Sequence, residues 1–164
     1  TMFGPPIEPN RVVEDSAKRL FSGPIDGNGR RSIYIKITMM EPQRFLAQFN
    51  QPIPKLCTGK RDATNVPNQA LALLNDPFVS TTSKYWGGRI VNDAALSPED
   101  RARTIFATAF GRAPEDAEIA RILKLAARFA ELRGTDASAV LTCQPVWQDV
   151  AHTLFNTKEF IYVQ

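Results

Sequence analysis

The sequence predicts a mainly α protein: a helical bundle of about five to six helices with an irregular N-terminal wrap and one short strand or hairpin. Three observations lead to this fold class. Proline and glycine interrupt the first thirty residues, and apolar and polar residues alternate over one short stretch. From residue 41 onward, apolar residues recur at helical spacing between helix-start signals.

The N-terminal stretch is broken by turn-forming residues, namely Gly4-Pro5-Pro6, Pro9, Gly23-Pro24 and Gly27-Asn28-Gly29. Between them, Val12–Phe21 can form a short helix. Arg31–Met40 alternates as a half-buried strand does, with Ile33, Ile35 and Ile37 between Tyr34, Lys36 and Thr38. Because one strand cannot satisfy its own edges, we expect it to pair with the N-terminal part, another chain or another domain.

A short helix is predicted after Glu41, because Pro42 suits a first helical turn and Phe45, Leu46 and Phe49 share one face. Gln51–Lys60 follows as a loop with two prolines and a glycine.

The next helix is predicted to begin at Pro67, with Asn65 as its cap. Its buried stripe is expected to be Ala70, Leu71 and Leu74. Asn75-Asp76-Pro77 ends it, and the Asp76 carboxylate can cap the helix that Pro77 opens. That helix runs from Phe78 to Tyr85–Trp86 and is ended by Gly87-Gly88 or continues loosely through Ile90.

Three more helices are predicted in the last seventy residues. Ser97-Pro98 opens the first and Gly111 stops it, while Pro114-Glu115-Asp116 opens the second and Gly134 closes it. After a linker at Thr135–Ser138, Pro145 opens the last, and Phe160, Ile161 and Tyr162 fold back as an apolar tail. The predicted core positions are Ile105, Phe106, Ala109, Phe110, Ile119, Ile122, Leu123, Ala126, Phe129, Trp147, Val150, Ala151, Leu154 and Phe155.

We expect residues 1–164 to form a single domain, with residues 1–40 as the wrap and residues 41–164 as the helical core. We also expect the chain to be a fragment of a larger protein, because Thr1 is not an initiator methionine and no leader pattern follows it.

Composition and motifs argue against several classes of protein. The net charge of +3 is scattered along the chain, so we expect no nucleic-acid partner. No run of eighteen apolar residues exists, so we expect no membrane span. The chain has no CxxC, no CxxCH, no Cys/His cluster and no phosphate-binding glycine loop, so we expect no metal and no cofactor in this domain.

No residue is predicted to be catalytic. The single histidine, His152, lies toward a flank of the last helix and is interpreted as a partly exposed structural residue. The candidates for a pair of catalytic carboxylates are Asp62, Asp76, Glu99, Asp116, Glu118 and Asp149. Capping or the helix dipole explains Asp76, Glu99 and Asp116, and we retain Asp62 and Asp149. Met39 and Met40 point to opposite faces of the predicted strand and suit core packing better than haem ligation.

Five residues remain that packing and capping do not explain: Arg31, Arg61, Asp62, Gln69 and Asn75. They are the candidate binding residues. The arginines can tie the wrap to the bundle through carbonyls and acids, or they can face an anionic ligand such as a sulfated or uronic glycan.

The two cysteines are far apart in the sequence. Cys57 and Cys143 can form one disulfide in an oxidising compartment, or they can remain two separate thiols.

Five segments in this order resemble a known family: Gly4-Pro5-Pro6, RRSIY from Arg30, C-x3-RDATNVPNQALALLNDPF from Cys57, AFGRAPEDAE from Ala109, and the ending WQDVAHTLFNTKEFIYV. The chain resembles the planctomycete-type C-terminal domain of unknown function (PSD-type, family 1553), found downstream of cytochrome-c-like domains in large secreted bacterial proteins. The resemblance covers almost the whole chain. Asn68 departs from it, since an apolar residue is expected there.

The resemblance implies a periplasmic or extracellular location, favours the disulfide, and implies upstream domains of the same polypeptide, including cytochrome-c-like ones, as partners. It carries over no catalytic residue. The hypothesis we favour is a non-catalytic domain that docks against those domains or binds a macromolecule such as a polysaccharide. The alternative is part of a polysaccharide-degrading hydrolase or lyase that uses Asp62, Asp149, His152 or the arginines. Any electron-transfer centre is expected in another domain.

Overall fold

Seven α-helices carry most of the described part of the chain, which in this computed structural model comprises residues 6–8, 10–11, 20–39, 42–60, 64–92, 96–136, 140 and 142–162. The helices are α1 (Arg44–Gln48), α2 (Pro67–Asn75), α3 (Pro77–Asn92), α4 (Pro98–Phe110), α5 (Asp116–Leu132), α6 (Gln144–Phe155) and α7 (Lys158–Ile161). The predicted helical fold class is confirmed. The additional helix is α7, a single turn that lies where an apolar tail is predicted. No helix in the described ranges is long and apolar enough to cross a membrane.

The chain divides into two compact units, residues 1–72 and residues 73–164. We describe each unit by itself. The single domain over residues 1–164 stays a prediction.

The first unit contains a minimal hairpin. Strand β1 (Asn10–Arg11) pairs antiparallel with strand β2 (Leu20–Phe21). The predicted helix over Val12–Phe21 is therefore wrong at its C-terminal end, and the rest of it lies outside the described residues. The expectation of a short strand or hairpin is met by this pair.

The strand predicted for Arg31–Met40 is wrong, although Met40 itself lies outside the described residues. Ser32–Tyr34 forms a 3-10 turn, which places Ile33 at the surface with 84% of its area exposed. Ile35 is buried and makes a single parallel bridge to Ile7. The 3-10 turn interrupts the predicted alternation of buried and exposed residues, because its hydrogen bonds form within residues 31–35. The backbone around Ile35 then pairs with another segment, at Ile7.

Polar contacts complete this part of the first unit. The Thr38 amide donates to Ser22 Oγ at 3.1 Å, and Lys36 Nζ donates to Glu8 Oε2 at 3.2 Å. The Gly23 backbone runs close to the Glu8 carbonyl, since an added Cβ would lie 3.2 Å from that oxygen. A few close backbone approaches, rather than a large apolar core, hold these residues.

Helix α1 begins later than predicted, at Arg44, because the Gln43 side chain accepts a hydrogen bond from the Phe45 amide and so acts as the cap. Pro42 lies before the helix instead of in its first turn. The rings of Phe45 and Phe49 are 5.0 Å apart, consistent with the predicted shared face.

Helix α2 buries a different stripe from the predicted one. Ala72 is buried and Leu73 is half-buried, whereas Ala70, Leu71 and Leu74 are exposed. The predicted buried stripe is displaced by about one residue from the observed one. All five positions of the segment ALALL are apolar, so the helical period cannot be read from them.

In the second unit, Asp76 caps α3 as predicted: its Oδ1 accepts from the Phe78 amide at 2.8 Å. Gly87 and Gly88 do not end this helix, which continues to Asn92. A Cβ at position 87 would lie 2.6 Å from the Gln148 amide nitrogen in α6. Gly87 is therefore needed for the close approach of the α3 and α6 backbones, and it does not serve to end the helix.

The core of the second unit lies among α3, α4, α5 and α6. Its buried members are Trp86, Ile90, Ala102, Ile105, Phe106, Ile119, Ile122, Ala126, Ala130, Val146, Trp147, Val150, Ala151 and Leu154. The predicted stripes of α4, α5 and α6 are confirmed at their centres. Ala109, Phe110, Leu123, Phe129 and Phe155 are partly buried against this core.

The predicted ends of α4 and α5 are also confirmed. Ser97 caps α4 by accepting from the Asp100 amide, and Gly111 ends it in the left-handed conformation at φ 70°. A capping box between Glu115 and Glu118 opens α5, and Gly134 follows its end at φ 63°.

A buried arginine joins α4 to the end of α3. Arg101 is 2% exposed, and its guanidinium donates to the carbonyls of Ile90 and Leu96. Carbonyls near a helix C-terminus lack intrahelical donors, so this side chain satisfies groups that would otherwise be buried without a partner.

Candidate functional site

An aromatic groove lies on the surface of the second unit. Helix α3 supplies one wall through Thr82, Tyr85, Trp86 and Arg89, whose spacing of three to four residues places them along one side of the helix. The other walls come from Thr108 in α4, Phe155 in α6 and Phe160 in α7. The hollow has a volume of about 270 Å³. We call these seven residues the aromatic groove.

Ring contacts fix the base of the aromatic groove. The Trp86 and Phe155 centroids are 5.2 Å apart, and Phe155 and Phe160 are 4.9 Å apart in an edge-to-face arrangement. Trp86 is buried, but Tyr85 leaves 75% of its area exposed and Phe160 leaves 39% exposed. The groove thus has a rigid aromatic base and two accessible rings.

The polar groups of the groove are few and differ in chemistry. Thr82 Oγ1 donates to the Phe78 carbonyl and Thr108 Oγ1 donates to the Thr104 carbonyl. Because each hydroxyl proton is used inside its own helix, each oxygen has only acceptor capacity left for a ligand. No carboxylate is present among the described lining residues.

An arginine between two glutamates holds α7, and with it Phe160, in place. Arg112 donates to both carboxylate oxygens of Glu118 in α5, at 3.0 and 2.7 Å, and to both of Glu159 in α7, at 2.7 and 3.1 Å. Its guanidinium also lies 4.7 Å from the centre of the Phe106 ring. Arg112 thereby lowers the pKa of Glu118 to about 2, since its hydrogen bonds favour the charged carboxylate.

A second, smaller hollow of about 230 Å³ is lined by Leu74, Phe129, Asp149, His152, Thr153 and Asn156. It brings together two candidates of the enzyme hypothesis, Asp149 and His152. Both Asp149 oxygens accept from Arg133, at 2.6 and 2.9 Å, and this contact raises the pKa of Arg133. Asp149 is therefore already bound, and no second carboxylate lies among the described lining residues.

The histidine has the structural role expected from the sequence. His152 is half-buried, and its Nε2 lies 3.0 Å from the Leu73 carbonyl oxygen. Since a carbonyl can only accept, Nε2 carries the proton in this contact. The ring ties α6 to the end of α2 within the second unit.

Gln69, a predicted binding residue, makes several contacts inside the first unit. Its Nε2 donates to the Gln48 carbonyl and to Thr64 Oγ1, while its Oε1 accepts from the Val66 amide. The last contact is the return half of a capping box, because Gln69 is the third residue of α2. These bonds give Gln69 a structural role that explains its presence without a ligand.

Of the other predicted binding residues, the structure describes Arg31 in the first unit and Asn75 in the second. Arg31 is exposed and precedes the 3-10 turn at Ser32–Tyr34, and Asn75 is exposed at the end of α2. Arg61 and Asp62 lie outside the described residues. The five-residue binding set stays a prediction.

Cys57 is exposed and Cys143 is half-buried. Thr135 Oγ1 lies 3.8 Å from the Cys143 sulfur. The disulfide between them stays a prediction. No group of three or more metal-binding side chains occurs in the described ranges.

Sequence reasoning missed the aromatic groove. Tyr85 and Trp86 were assigned only to the end of a helix, and Thr82, Arg89 and Thr108 were not singled out. A usable signal existed, because Tyr85 falls opposite the buried positions Val79, Ser83 and Ile90 of α3. If the helix is extended through Gly87-Gly88, helical periodicity predicts that Tyr85 is exposed and that the neighbouring Trp86 is buried.

Comparison with known proteins identifies a family and adds no named relative. No curated protein and no solved structure matches the chain. A family model described as "Protein of unknown function (DUF1553)" matches residues 1–126. The match includes the part of the groove contributed by α3 and α4, and it stops within α5. The chain therefore belongs to the family of proteins of unknown function DUF1553.

Proposed function

We propose that this chain is a non-catalytic domain that binds polysaccharide through the aromatic groove. The observation that carries the proposal is the pair of accessible rings, Tyr85 and Phe160, beside a fixed aromatic base. The C–H faces of sugar rings pack against aromatic rings, and hydroxyls at the edge of the sugar need nearby polar partners. The groove supplies both.

The setting of the proposal comes from the family resemblance. The domain is part of a larger periplasmic or extracellular protein, in which any haem belongs to an upstream cytochrome-c-like domain of the same polypeptide. In that setting the groove holds the large substrate near other domains, which carry the chemistry. The lack of a carboxylate in the described groove lining agrees with a binding role, because glycosidic bond hydrolysis needs an acid and a base at one bond.

The test is calorimetric titration of the full 164-residue chain with a panel of soluble neutral and acidic oligosaccharides. We expect binding to at least one of them, and a decrease in affinity of about 3- to 10-fold for Tyr85→Ala, from the loss of one ring contact. Leu132→Ala is the matched control, because Leu132 is also an exposed apolar residue on a helix of this unit but does not line the groove. The proposal is wrong if the whole panel fails to bind.

Docking to other domains of the polypeptide is a second candidate, favoured by the exposed Leu71 and Leu74 of α2. These two residues lie three apart, on the same side of the helix. Hydrogen exchange in a longer form of the protein tests this function: docking slows exchange in α2, and unchanged exchange there rules out docking through this helix.

The enzyme alternative is favoured by one observation, the shared hollow of Asp149 and His152. In a hydrolase or lyase, Asp149→Asn would abolish product formation from a polysaccharide. We rank it below binding because Asp149 already neutralises Arg133. Reducing-end or unsaturated-product assays with this variant and the unmodified chain separate the two functions.

A further inference from the structure

Arg89 differs from three other arginines of the second unit, whose guanidinium groups are held by hydrogen bonds. Arg112 and Arg133 each donate to carboxylates through bidentate contacts, and Arg101 is buried on carbonyls. Arg89 is exposed and makes no hydrogen bond or ion pair within the described part of the chain. Arg89 lines the groove together with Tyr85 and Phe160, and no other described residue occupies its hydrogen-bond donors.

The remaining polar groups of the groove complement that cation. Thr82 and Thr108 offer only acceptor oxygens, so they suit the hydroxyl donors of a ligand. Arg89 suits a planar or tetrahedral anion, which guanidinium binds through two parallel hydrogen bonds. A ligand that satisfies all of these groups has an apolar ring face, hydroxyl donors and one negative charge.

We infer that the aromatic groove takes an acidic sugar, with its carboxylate or sulfate ester on Arg89 and its ring face on Tyr85 and Phe160. This inference rests on the proposed polysaccharide binding and names the class of sugar. Arg89 is the specificity-determining residue, because it is the one charged group among the described lining residues.

A structural role for Arg89 makes a different prediction. Arg89 lies in the last turn of α3, where a cation stabilises the helix dipole. Such a role would change the stability of the helix equally with or without a sugar, and it would not distinguish charged sugars from neutral ones. Measuring affinity for matched charged and neutral probes therefore separates the two roles.

The experiment titrates the full chain with tetragalacturonate and with the same tetramer fully methyl-esterified, in which a small methyl group on each carboxyl removes the negative charge. We expect tighter binding of the acidic tetramer, and Arg89→Gln to weaken it about 3- to 10-fold while leaving the ester unchanged. Lys84→Gln is the matched control, because it removes one exposed positive charge from the same helix outside the groove. Thermal unfolding of each variant confirms that it is folded.

A sulfated galactose tetramer, run in parallel, distinguishes the two sources of negative charge. Preference for either acidic probe that depends on Arg89 and weakens with added salt supports the inference. Equal affinity for the acidic and esterified tetramers, with no effect of Arg89→Gln, overturns the inference and leaves polysaccharide binding in place. Failure of every sugar to bind overturns the proposed function itself.

Discussion

Residues 73–164 bury fifteen apolar side chains in the described part of the chain, whereas residues 1–72 bury three: Ile7, Ile35 and Ala72. The second unit is held by helix packing, and side-chain caps begin α3, α4 and α5. The first unit is held by short backbone bridges and polar side chains such as Ser22 and Gln69. Burial of apolar area is the larger source of stability, so equal substitutions should have unequal effects in the two units.

The largest expected effect is at the crossing of α3 and α6. Gly87→Ala places a Cβ 2.6 Å from the Gln148 amide nitrogen, and we expect a loss of roughly 3 kcal/mol in the free energy of unfolding. Urea unfolding followed by circular dichroism measures it. In the control, Gly88→Ala, the Cβ lies 3.0 Å from Nε2 at the end of the Gln144 side chain. That end can shift at the cost of its hydrogen bond to the Lys84 carbonyl, so the change should stay within about 1 kcal/mol. Equal effects at both positions would contradict this crossing.

In the first unit, Ile35→Ala should cost about 2 kcal/mol locally, because Ile35 is one of its few buried apolar residues. Hydrogen exchange of the Ile7 and Lys36 amides, which bond across the bridge, reports this loss. Ile33→Ala serves as the control and should change nothing, since Ile33 is at the surface. If Ile33→Ala gave the larger effect, the originally predicted strand would be the better description.

A smaller effect is expected from the polar contacts of Gln69. Gln69→Ala removes the return half of the α2 cap and the bond to the Gln48 carbonyl, at a cost of about 1 kcal/mol. Amide exchange at the start of α2 should increase. The side chain of Gln48 makes none of these contacts, so Gln48→Ala is the control and should leave the amide exchange of α2 unchanged. Faster exchange in α2 with Gln48→Ala would contradict the capping role of Gln69.

The smallest effect concerns pH in the second unit. Because the pKa of Glu118 is lowered from an ordinary value of 4.5 to about 2, its contribution to stability is complete above about pH 4.5 and is lost as the pH falls toward 2. The melting temperature should decrease over that window, and Glu118→Gln should show a shallower decrease. Glu131→Gln, on the exposed side of α5, should keep the parent slope. An unchanged slope in Glu118→Gln would show that Arg112 does not stabilise the charged carboxylate.

Prediction from the sequence succeeded where local signals act within a few residues. Asp76-Pro77, Ser97-Pro98, Gly111 and the α6 stripe were assigned correctly, because capping and helical periodicity depend on neighbouring residues. Prediction failed at Ile33, where a turn interrupts an alternating pattern, and at ALALL in α2, where nearly all positions are apolar. Of the aromatic groove, the sequence indicated Phe155 as a core position and Phe160 as part of an apolar tail, but it did not indicate Arg89. It did single out Asp149 and His152, which line the smaller hollow.

What the sequence determined by itself was the helical class, most helix ends of the second unit and the family. Only the tertiary structure decided that Gly87 is a contact point and not a stop, because its role depends on the approach of α6, some sixty residues later in the chain. The same holds for the aromatic groove, whose walls come from α3, α4, α6 and α7. Local patterns specify which face of a helix is buried, whereas the partners that meet at the remaining faces are set by how the helices pack.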